Sequence, residues 1–349
     1  MKPFKPITIA GGGIGGLSLG IGLRQRSVDV QLHEAGAYPR HRVCGEFISG
    51  KGWQIIQSLG LEKALLDAGA VEARTFKCYG PDRISQVLPL PSPALCLSRF
   101  RMDAYMADEF VKLGGKLFTQ KSADPSMSDQ AEGLVWAKGR QPASSRKYGW
   151  IGFKCHVTAY PLQADLEMHF GNDGYVGLCR VEHDKINVCG LKRMDEKLET
   201  LTPQKRCTQW ALASMHESRK RDLQESTVLE ETICYTAGLS YRNQATSSAK
   251  AWIGDQRTRI PPFTGNGMSM ALESAQIAVD PIHAYATGNL TWPIACQKMG
   301  LMMRKQFRAR VAFANLFQHL LMTDGPLNPK NVLIKHLPWI YPHLYRWTR

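Results

Sequence analysis

The sequence predicts an α/β fold: a parallel-sheet domain built from discontinuous segments, an antiparallel sheet inserted into it, and a helical carboxyl-terminal segment. Three observations predict it. From Ile7 to Glu34 a strand, a glycine-rich turn, a helix and a second strand follow one another. Strand patterning broken by turn signals fills the middle of the chain. A second glycine-rich turn, Thr264 to Gly267, then leads into another helix.

Composition bounds what such a fold can be. The 349 residues are 44% hydrophobic and 21% charged, an ordinary globular balance that suggests two domains or one elaborated one and excludes long disorder. The 44 Lys+Arg against 30 Asp+Glu leave a net charge of +14, which would suit nucleic acid, an anionic membrane or an acidic ligand alike. Nine cysteines without one Cys-x-x-Cys pair argue against a zinc ribbon or a redox dithiol. With no signal-peptide pattern, their odd number predicts reduced thiols in a cytoplasm. The uncharged run Ile7–Leu23 holds seven glycines, too many for a secretory or membrane segment, and no other stretch has the length to span a bilayer.

The first element is the strand Ile7–Ala10, followed at once by Gly11-Gly12-Gly13-Ile14-Gly15-Gly16. Apolar residues then recur at helical spacing (Leu17, Ile21, Leu23), and Val28–Leu32 alternates as a second strand ending at Glu34. This is G-x-G-x-x-G between strand and helix, with an acid 18 residues beyond Gly16. Gly11 permits the tight turn, Gly13 lets the backbone approach a pyrophosphate, and Gly16 lets the helix pack on the sheet. The helix amino terminus attracts the pyrophosphate, and Glu34 is placed to accept from ribose hydroxyls. The whole unit predicts a dinucleotide site, with Glu34 disfavouring a 2′-phosphate.

Far downstream, Ala251-Trp252-Ile253-Gly254-Asp255 predicts a strand with a carboxylate at the sheet's carboxyl edge. Ile260-Pro261-Pro262-Phe263-Thr264-Gly265-Asn266-Gly267-Met268 follows, and a helix carrying Met270, Leu272, Ala275, Ile277 and Ala278 comes next. The pairing of these two motifs resembles the flavoproteins that include para-hydroxybenzoate hydroxylase, geranylgeranyl reductases and flavin-dependent halogenases. The resemblance covers most of the chain. It implies a Rossmann-like FAD-binding domain of the GR2 type, in which Asp255 bonds the ribityl chain. Gly254, Pro262, Gly265, Asn266, Gly267 and Met268 would line the cofactor with Gly11, Gly13, Ile14, Gly15 and Gly16.

Two further segments fit that resemblance. Arg40-His41-Arg42-Val43-Cys44-Gly45-Glu46-Phe47 looks like the family's stretch after the ribose-binding acid, closest to the reductase branch, and puts Arg42 and Cys44 at the cofactor. Leu97-Ser98-Arg99-Phe100-Arg101-Met102-Asp103 resembles the turn whose first arginine, here Arg99, reaches the ribityl–phosphate region. Asp103 is expected to cap a helix Ala104–Leu113. Two departures stand out. Lys138 lies where the hydroxylases carry an aspartate that contacts FAD and NADPH, and a lysine cannot accept hydrogen bonds. Gln256-Arg257 replaces two small alanines, setting a cation near the expected flavin edge or on the surface.

In the middle, strands are expected over Tyr148–Val157, Leu166–Phe170, Tyr175–Val181 and Lys185–Leu191, with Asn172-Asp173-Gly174 as a turn; Phe76–Leu90 adds two more. Lys154 and His156 share one strand face by the period of two, and Tyr175 could lie beside them. Such a trio above a flavin is a candidate for acid–base work, the alternative being a solvated sheet face. No G-x-S-x-G elbow and no histidine pair at i, i+4 is present, so neither a serine-hydrolase nor a metal site is expected.

The resulting domain plan is residues 1–75, 97–146 and 245–298 for the FAD-binding domain, 76–96 and 147–244 for the substrate domain, and 299–349 for the carboxyl-terminal helical segment. From Lys298 onward nine basic residues face one acid, Asp324. A helix Gly300–Met322 is expected, then a shorter aromatic, basic one, either packed on the flavin domain or resting on a membrane surface. With no binding motif and the charge spread along a helix, nucleic acid is not expected.

The leading expectation is an FAD-dependent monooxygenase that hydroxylates an aromatic or polyketide-like lipophilic molecule through a flavin C4a-hydroperoxide. Electrons would come from NAD(P)H or from a separate flavin reductase. The alternative is a reductase of isoprenoid or other conjugated double bonds, favoured by Cys44-Gly45-Glu46. A third is a flavin-bearing protein with degenerate catalysis, suggested by Lys138 and Gln256-Arg257. A halogenase fits least, for want of a Trp-x-Trp-x-Ile segment.

Overall fold

The computed structural model describes residues 4–123, 131–140, 150–193, 201–239, 250–322, 330–336 and 338–339. Its elements run β1 (Ile7–Ala10), α1 (Ile14–Arg24), β2 (Val30–His33), β3 (Phe47–Ser49), α2 (Lys51–Ser58), α3 (Glu62–Asp67), β4 (Val71–Tyr79), β5 (Leu88–Cys96) and α4 (Arg99–Lys112). Then come β6 (Lys116–Phe118), β7 (Leu134–Trp136), β8 (Trp150–Thr158), β9 (Leu166–Phe170), β10 (Gly174–Arg180) and β11 (Ile186–Arg193). The chain continues through α5 (Pro203–Ser214), α6 (Glu217–Glu225), β12 (Thr227–Leu239), α7 (Gly267–Ala286) and α8 (Trp292–Met322).

Two sheets organise these elements. The smaller has the order β6-β2-β1-β7, every pair parallel. The strand expected before Gly254-Asp255 is reduced to one parallel bridge, Trp136 to Trp252, which still sets that segment beside β7. Strands β1 and β2 are apolar where they face α1, and Leu17, Leu19, Ile21 and Leu23 of α1 are fully buried. With α4, α7 and α8 they form the main core. Burial of this many whole aliphatic side chains, about 1.5–3 kcal/mol each, is what holds the parallel unit together.

The larger sheet has the order β12-β8-β11-β10-β9-β4-β5-β3. All its neighbours are antiparallel except β4 and β9, which pair in parallel with Phe76 opposite Leu166. The expected antiparallel sheet thus carries one parallel junction. It arises because two separate meanders, β4-β5 and β8 to β12, meet edge to edge without a hairpin between them. The amino-terminal strand β3 also joins this sheet, against β5.

Alternation along these strands gives the sheet two different faces. Phe153, Cys155, Val157, Val176, Leu178, Ile186 and Val188 point to a layer made by α5 and α6, where they pack with Cys207, Trp210 and Leu223. The intervening residues, among them Tyr175, Gly177, Cys189 and Leu191, point the other way, towards the parallel domain. The helices α5 and α6 and the edge strand β12 were not foreseen in the sequence.

Two expected boundaries are corrected. Helix α4 begins at Arg99, and its cap is Ser98, whose hydroxyl accepts from the Arg101 N–H; Asp103 is already inside the helix. Helix α8 begins eight residues earlier than Gly300, at Trp292, because Trp292, Ala295, Cys296 and Met299 continue the same buried stripe. Residues 148–149 of the expected first meander strand, and most of the expected last helix, lie outside the described residues.

Candidate active site

The turn after β1 carries the tightest backbone packing in the parallel domain. Gly11 has φ +115°, and a Cβ there would strike the Ala137 carbonyl; a Cβ on Gly16 would strike the Gly11 carbonyl oxygen. Only glycine fits either place. Around Gly13 there is space instead, since its Cβ would come no closer to a neighbour than 4.0 Å, from Arg99 Nη2. Gly13 caps α1 with no side-chain hydrogen bond, so the first N–H groups of that helix are open to a ligand.

Glu34 closes the far end of β2. Its Oε2 accepts from the Gly12 N–H at 2.7 Å and its Oε1 from the Gly36 N–H at 2.9 Å. Arg40 Nη2 lies 2.7 Å from Oε1 and Arg42 Nη2 3.7 Å from Oε2. Burial alone would raise the carboxyl, but the Gly36 N–H, Arg40 and the Gly12 N–H outweigh it and hold Glu34 below the usual carboxylate range. Tyr38 donates its hydroxyl to the Gly12 carbonyl, bracing the turn from outside.

Arg99 is fixed by a bidentate pair: Nε and Nη2 each donate to Asp103 at 2.7 Å. That is what Asp103 does in place of capping. The pair aims the guanidinium at Gly13, while Arg42 Nε, 3.6 Å from Asp103, is buried without a hydrogen-bond partner. An unsatisfied buried guanidinium N–H beside an open helix terminus suits an anionic oxygen.

The second motif arrives from the opposite side. Gly254 has φ +60° and donates its N–H to Ser274 of α7 at 2.8 Å. Asp255 opens towards the interior space rather than bulk water, and burial raises its carboxyl, against the opposing charges of Arg140, Arg259 and Arg99. Arg140 Nη2 stands 3.7 Å from it. Gly265, at φ +62°, sits against Phe47, whose ring leaves no room for a Cβ. Asn266 is the residue before α7 and is fully buried.

Both motifs and the inward face of the large sheet enclose one cavity of about 920 Å³. Its wall includes Gly11, Gly13, Ile14, Gly15, Glu34, Arg42, Cys44 and Arg99 from the first half of the chain. Gly254, Asp255, Pro262, Gly265, Gly267 and Met268 come from the second. Gly16 and Asn266 do not line it. The rest of the lining is mainly apolar: Phe76, Leu90, Leu166, Met168, Tyr175 and Leu191 from the sheet, Phe263, and Phe313 and Phe317 from α8. Lys138 also lines it, its ammonium 4.0 Å from the Trp136 ring centre. Arg257 is buried, off the wall, and lowered by burial and by the neighbouring charge of Arg304.

The Lys154, His156 and Tyr175 trio is divided. All three share the inward sheet face, but Tyr175 packs in an apolar cluster with Phe170, Leu191 and Phe263. Lys154 and His156 are covered by the segment 40–47 and converge on Glu46, which the sequence did not single out as a site residue. Glu46 Oε1 is 2.9 Å from Lys154 Nζ and Oε2 is 2.7 Å from His156 Nε2; the Arg99 N–H also donates to Oε1 at 2.9 Å. All three side chains are essentially inaccessible to water. Burial would raise Glu46, but His156, Lys154 and the Arg99 N–H outweigh it and hold it down.

His41 completes the cluster from the cavity side, with Nδ1 3.0 Å from Lys154 Nζ and its ring stacked on Phe100. Burial, then the charges of Lys154 and His156, push it down to about 4. His41, Glu46 and His156 converge as metal ligands would, yet the Lys154 ammonium already lies within 3.0 Å of two of them and fills the place of a cation. No sequence signal marks Glu46, whose φ is +58°, beyond its place in the Cys44-Gly45-Glu46 segment.

Comparison with known proteins adds the fold. The chain matches no known family model and no curated protein sequence. Among solved structures it is similar to the flavin-dependent brominase Bmp2 (TM-score 0.77, 17% identity, 99% of this chain and 93% of that one). It is also similar to PqsL, a probable FAD-dependent monooxygenase from Pseudomonas aeruginosa (TM-score 0.74, 12% identity, 96% and 100%). A third is a geranylgeranyl bacteriochlorophyll reductase-like protein from Thermoplasma acidophilum (TM-score 0.73, 14% identity, 97% and 92%). The fold is the one these flavoproteins share. The two-sheet architecture expected from the motifs is thus found across nearly the whole chain.

Proposed function

We propose that this protein is an FAD-dependent monooxygenase acting on a lipophilic aromatic or polyketide-like small molecule. One observation carries the reading: a single cavity joins an open helix terminus, the carboxylate at the end of β2 and a second glycine turn to a broad apolar wall. The residues fit the cofactor. Gly13 and the start of α1, with Arg99 and Arg42, would hold the pyrophosphate; Glu34 would hold the adenosine ribose and Asp255 the ribityl chain. Gly265, Gly267 and Met268 would hold the ring. When bound, the flavin supplies the redox chemistry and the activation of oxygen.

The chain's own contribution is then orientation and exclusion of water. Tyr175, Phe263 and Phe317 keep the inner cavity dry, and the Glu46–Lys154 pair fixes the segment 40–47 over the sheet. A double-bond reductase is the second reading, favoured by Cys44 on the cavity wall beside Arg99.

A stopped-flow cycle tests the proposal. The holoprotein is reduced, mixed with O₂, and followed by flavin absorbance with lipophilic phenols present. A transient unlike either oxidised or reduced flavin, decaying with formation of a hydroxylated product, is expected. Immediate reoxidation without product sinks the monooxygenase reading, and a colourless protein that takes up no FAD sinks the flavoprotein reading as well.

A further inference from the structure

We propose that the outward face of α8 docks on an anionic lipid surface. Its 31 residues contain no aspartate or glutamate. The inward side is fully committed: Met303, Phe307, Val311 and Ala314 are in the main core, and Arg310 is paired with Glu273 at 2.6 Å. Phe313 and Phe317 reach the cavity wall.

On the other side Ile294, Lys298, Leu301, Lys305, Arg308 and Leu316 recur at steps that keep them on one face of a helix. Ile294 is 43% exposed, Leu301 53%, Met302 45% and Leu316 60%, so these four large apolar side chains stand in water along one helix. Lys298, Arg304, Lys305 and Arg308 are exposed among them and make no ion pair with another described residue. Aliphatic tips that would enter the acyl boundary are therefore ringed by long cations that can reach phosphate headgroups.

Charge complementarity selects the occupant. A second copy of the helix would set four cations against four, at short range and without an acid to relieve them. A nucleic acid would use the cations but leave the leucines and Met302 unburied. An anionic bilayer satisfies both kinds of side chain at once. Because the opposite side of α8 supplies Phe313 and Phe317, docking would also bring the apolar cavity to within about one helix diameter, roughly 10 Å, of the lipid.

The test is co-sedimentation of the full chain with vesicles of phosphatidylcholine alone and of phosphatidylcholine mixed with phosphatidylserine. Preferential binding to the mixed vesicles, weakening with salt, is expected. Each cation near such a surface is worth about fivefold in partitioning, so Lys298→Glu/Lys305→Glu/Arg308→Glu should lower binding by at least about a hundredfold. A separate Leu301→Ser/Leu316→Ser variant, with every charge kept, should also bind the mixed vesicles more weakly. Circular dichroism melting should show both variants folded, since all five side chains are exposed. Equal binding to the two vesicle types, or full binding by the charge-reversed variant, overturns the proposal. So does wild-type binding by the leucine variant, which would mark the face as one for a soluble polyanion or an acidic protein.

Discussion

Glu34 and Glu46 stand twelve residues apart, and both are buried carboxylates held below their ordinary range, yet they belong to different machinery. Glu34 is held by backbone N–H groups of its own βαβ unit and by Arg40, and it faces the cavity. Glu46 is held by Lys154 and His156 from a strand 110 residues away and faces no open space. A carboxylate on a cavity wall keeps lone pairs for a ligand. One enclosed by two basic side chains fastens two regions together.

The largest expected difference follows from that contrast. Glu46→Ala leaves the Lys154 ammonium buried without its partner, which should cost about 3–5 kcal/mol of folding stability. Urea unfolding of the cofactor-free protein measures it, and a loss under about 1 kcal/mol would break the distinction drawn between the two acids.

Glu34→Ala should act on the ligand instead. Loss of a charge-assisted hydrogen bond to the ribose weakens FAD retention by about 1.5–3 kcal/mol, roughly ten- to a hundredfold in Kd, read by quenching of flavin fluorescence. Unchanged FAD affinity would remove Glu34 from the site.

Acid sharpens the comparison further. Glu46 is lowered in the folded state, so its contribution is complete above the unfolded carboxylate value and is lost as pH falls through the lower folded one. Below about pH 4.5 the urea midpoint of the wild type should therefore drop more steeply than that of Glu46→Gln. The two curves would run parallel if Glu46 were not ionised in its pair.

The smallest effect concerns His41, which faces Lys154, His156, Glu46 and Lys185. With a folded value pushed down to about 4, its imidazole stays neutral, and the stability it contributes above the ordinary histidine value fades as pH falls from about 6.5 towards 4. Its Cε1 proton signal should be flat from pH 8 to about 5; a titration near 6.5 would show that His41 is not buried against Lys154 in solution.

How much of this was legible depends on the range of the interaction. Gly11, Gly13, Gly16 and Glu34 could be read directly, because the turn, the helix terminus and the acid belong to one contiguous unit whose spacing follows from strand and helix geometry. Asp255 and Gly265 needed the resemblance as well, since only the fold carries them to the same cavity. The role of Asp103 was misjudged because an acid near a helix start looks like a cap, whereas Ser98 takes that position and frees Asp103 to hold Arg99. Lys154 and His156 were placed on the right face by alternation, but nothing local showed that the segment 40–47 would cover them.

The basic carboxyl-terminal segment makes the same point. The sequence alone determined that residues 300–322 are helical, basic and free of acids, because period and composition are properties of a single stretch. Only the tertiary structure decided which bases are buried. Arg310 is taken by Glu273, and Lys330, 1% exposed, donates to the Gly171 carbonyl at 3.0 Å. Lys298, Arg304, Lys305 and Arg308 remain in water. A guanidinium is buried only where a partner from elsewhere in the chain compensates its desolvation, and no local pattern specifies that partner.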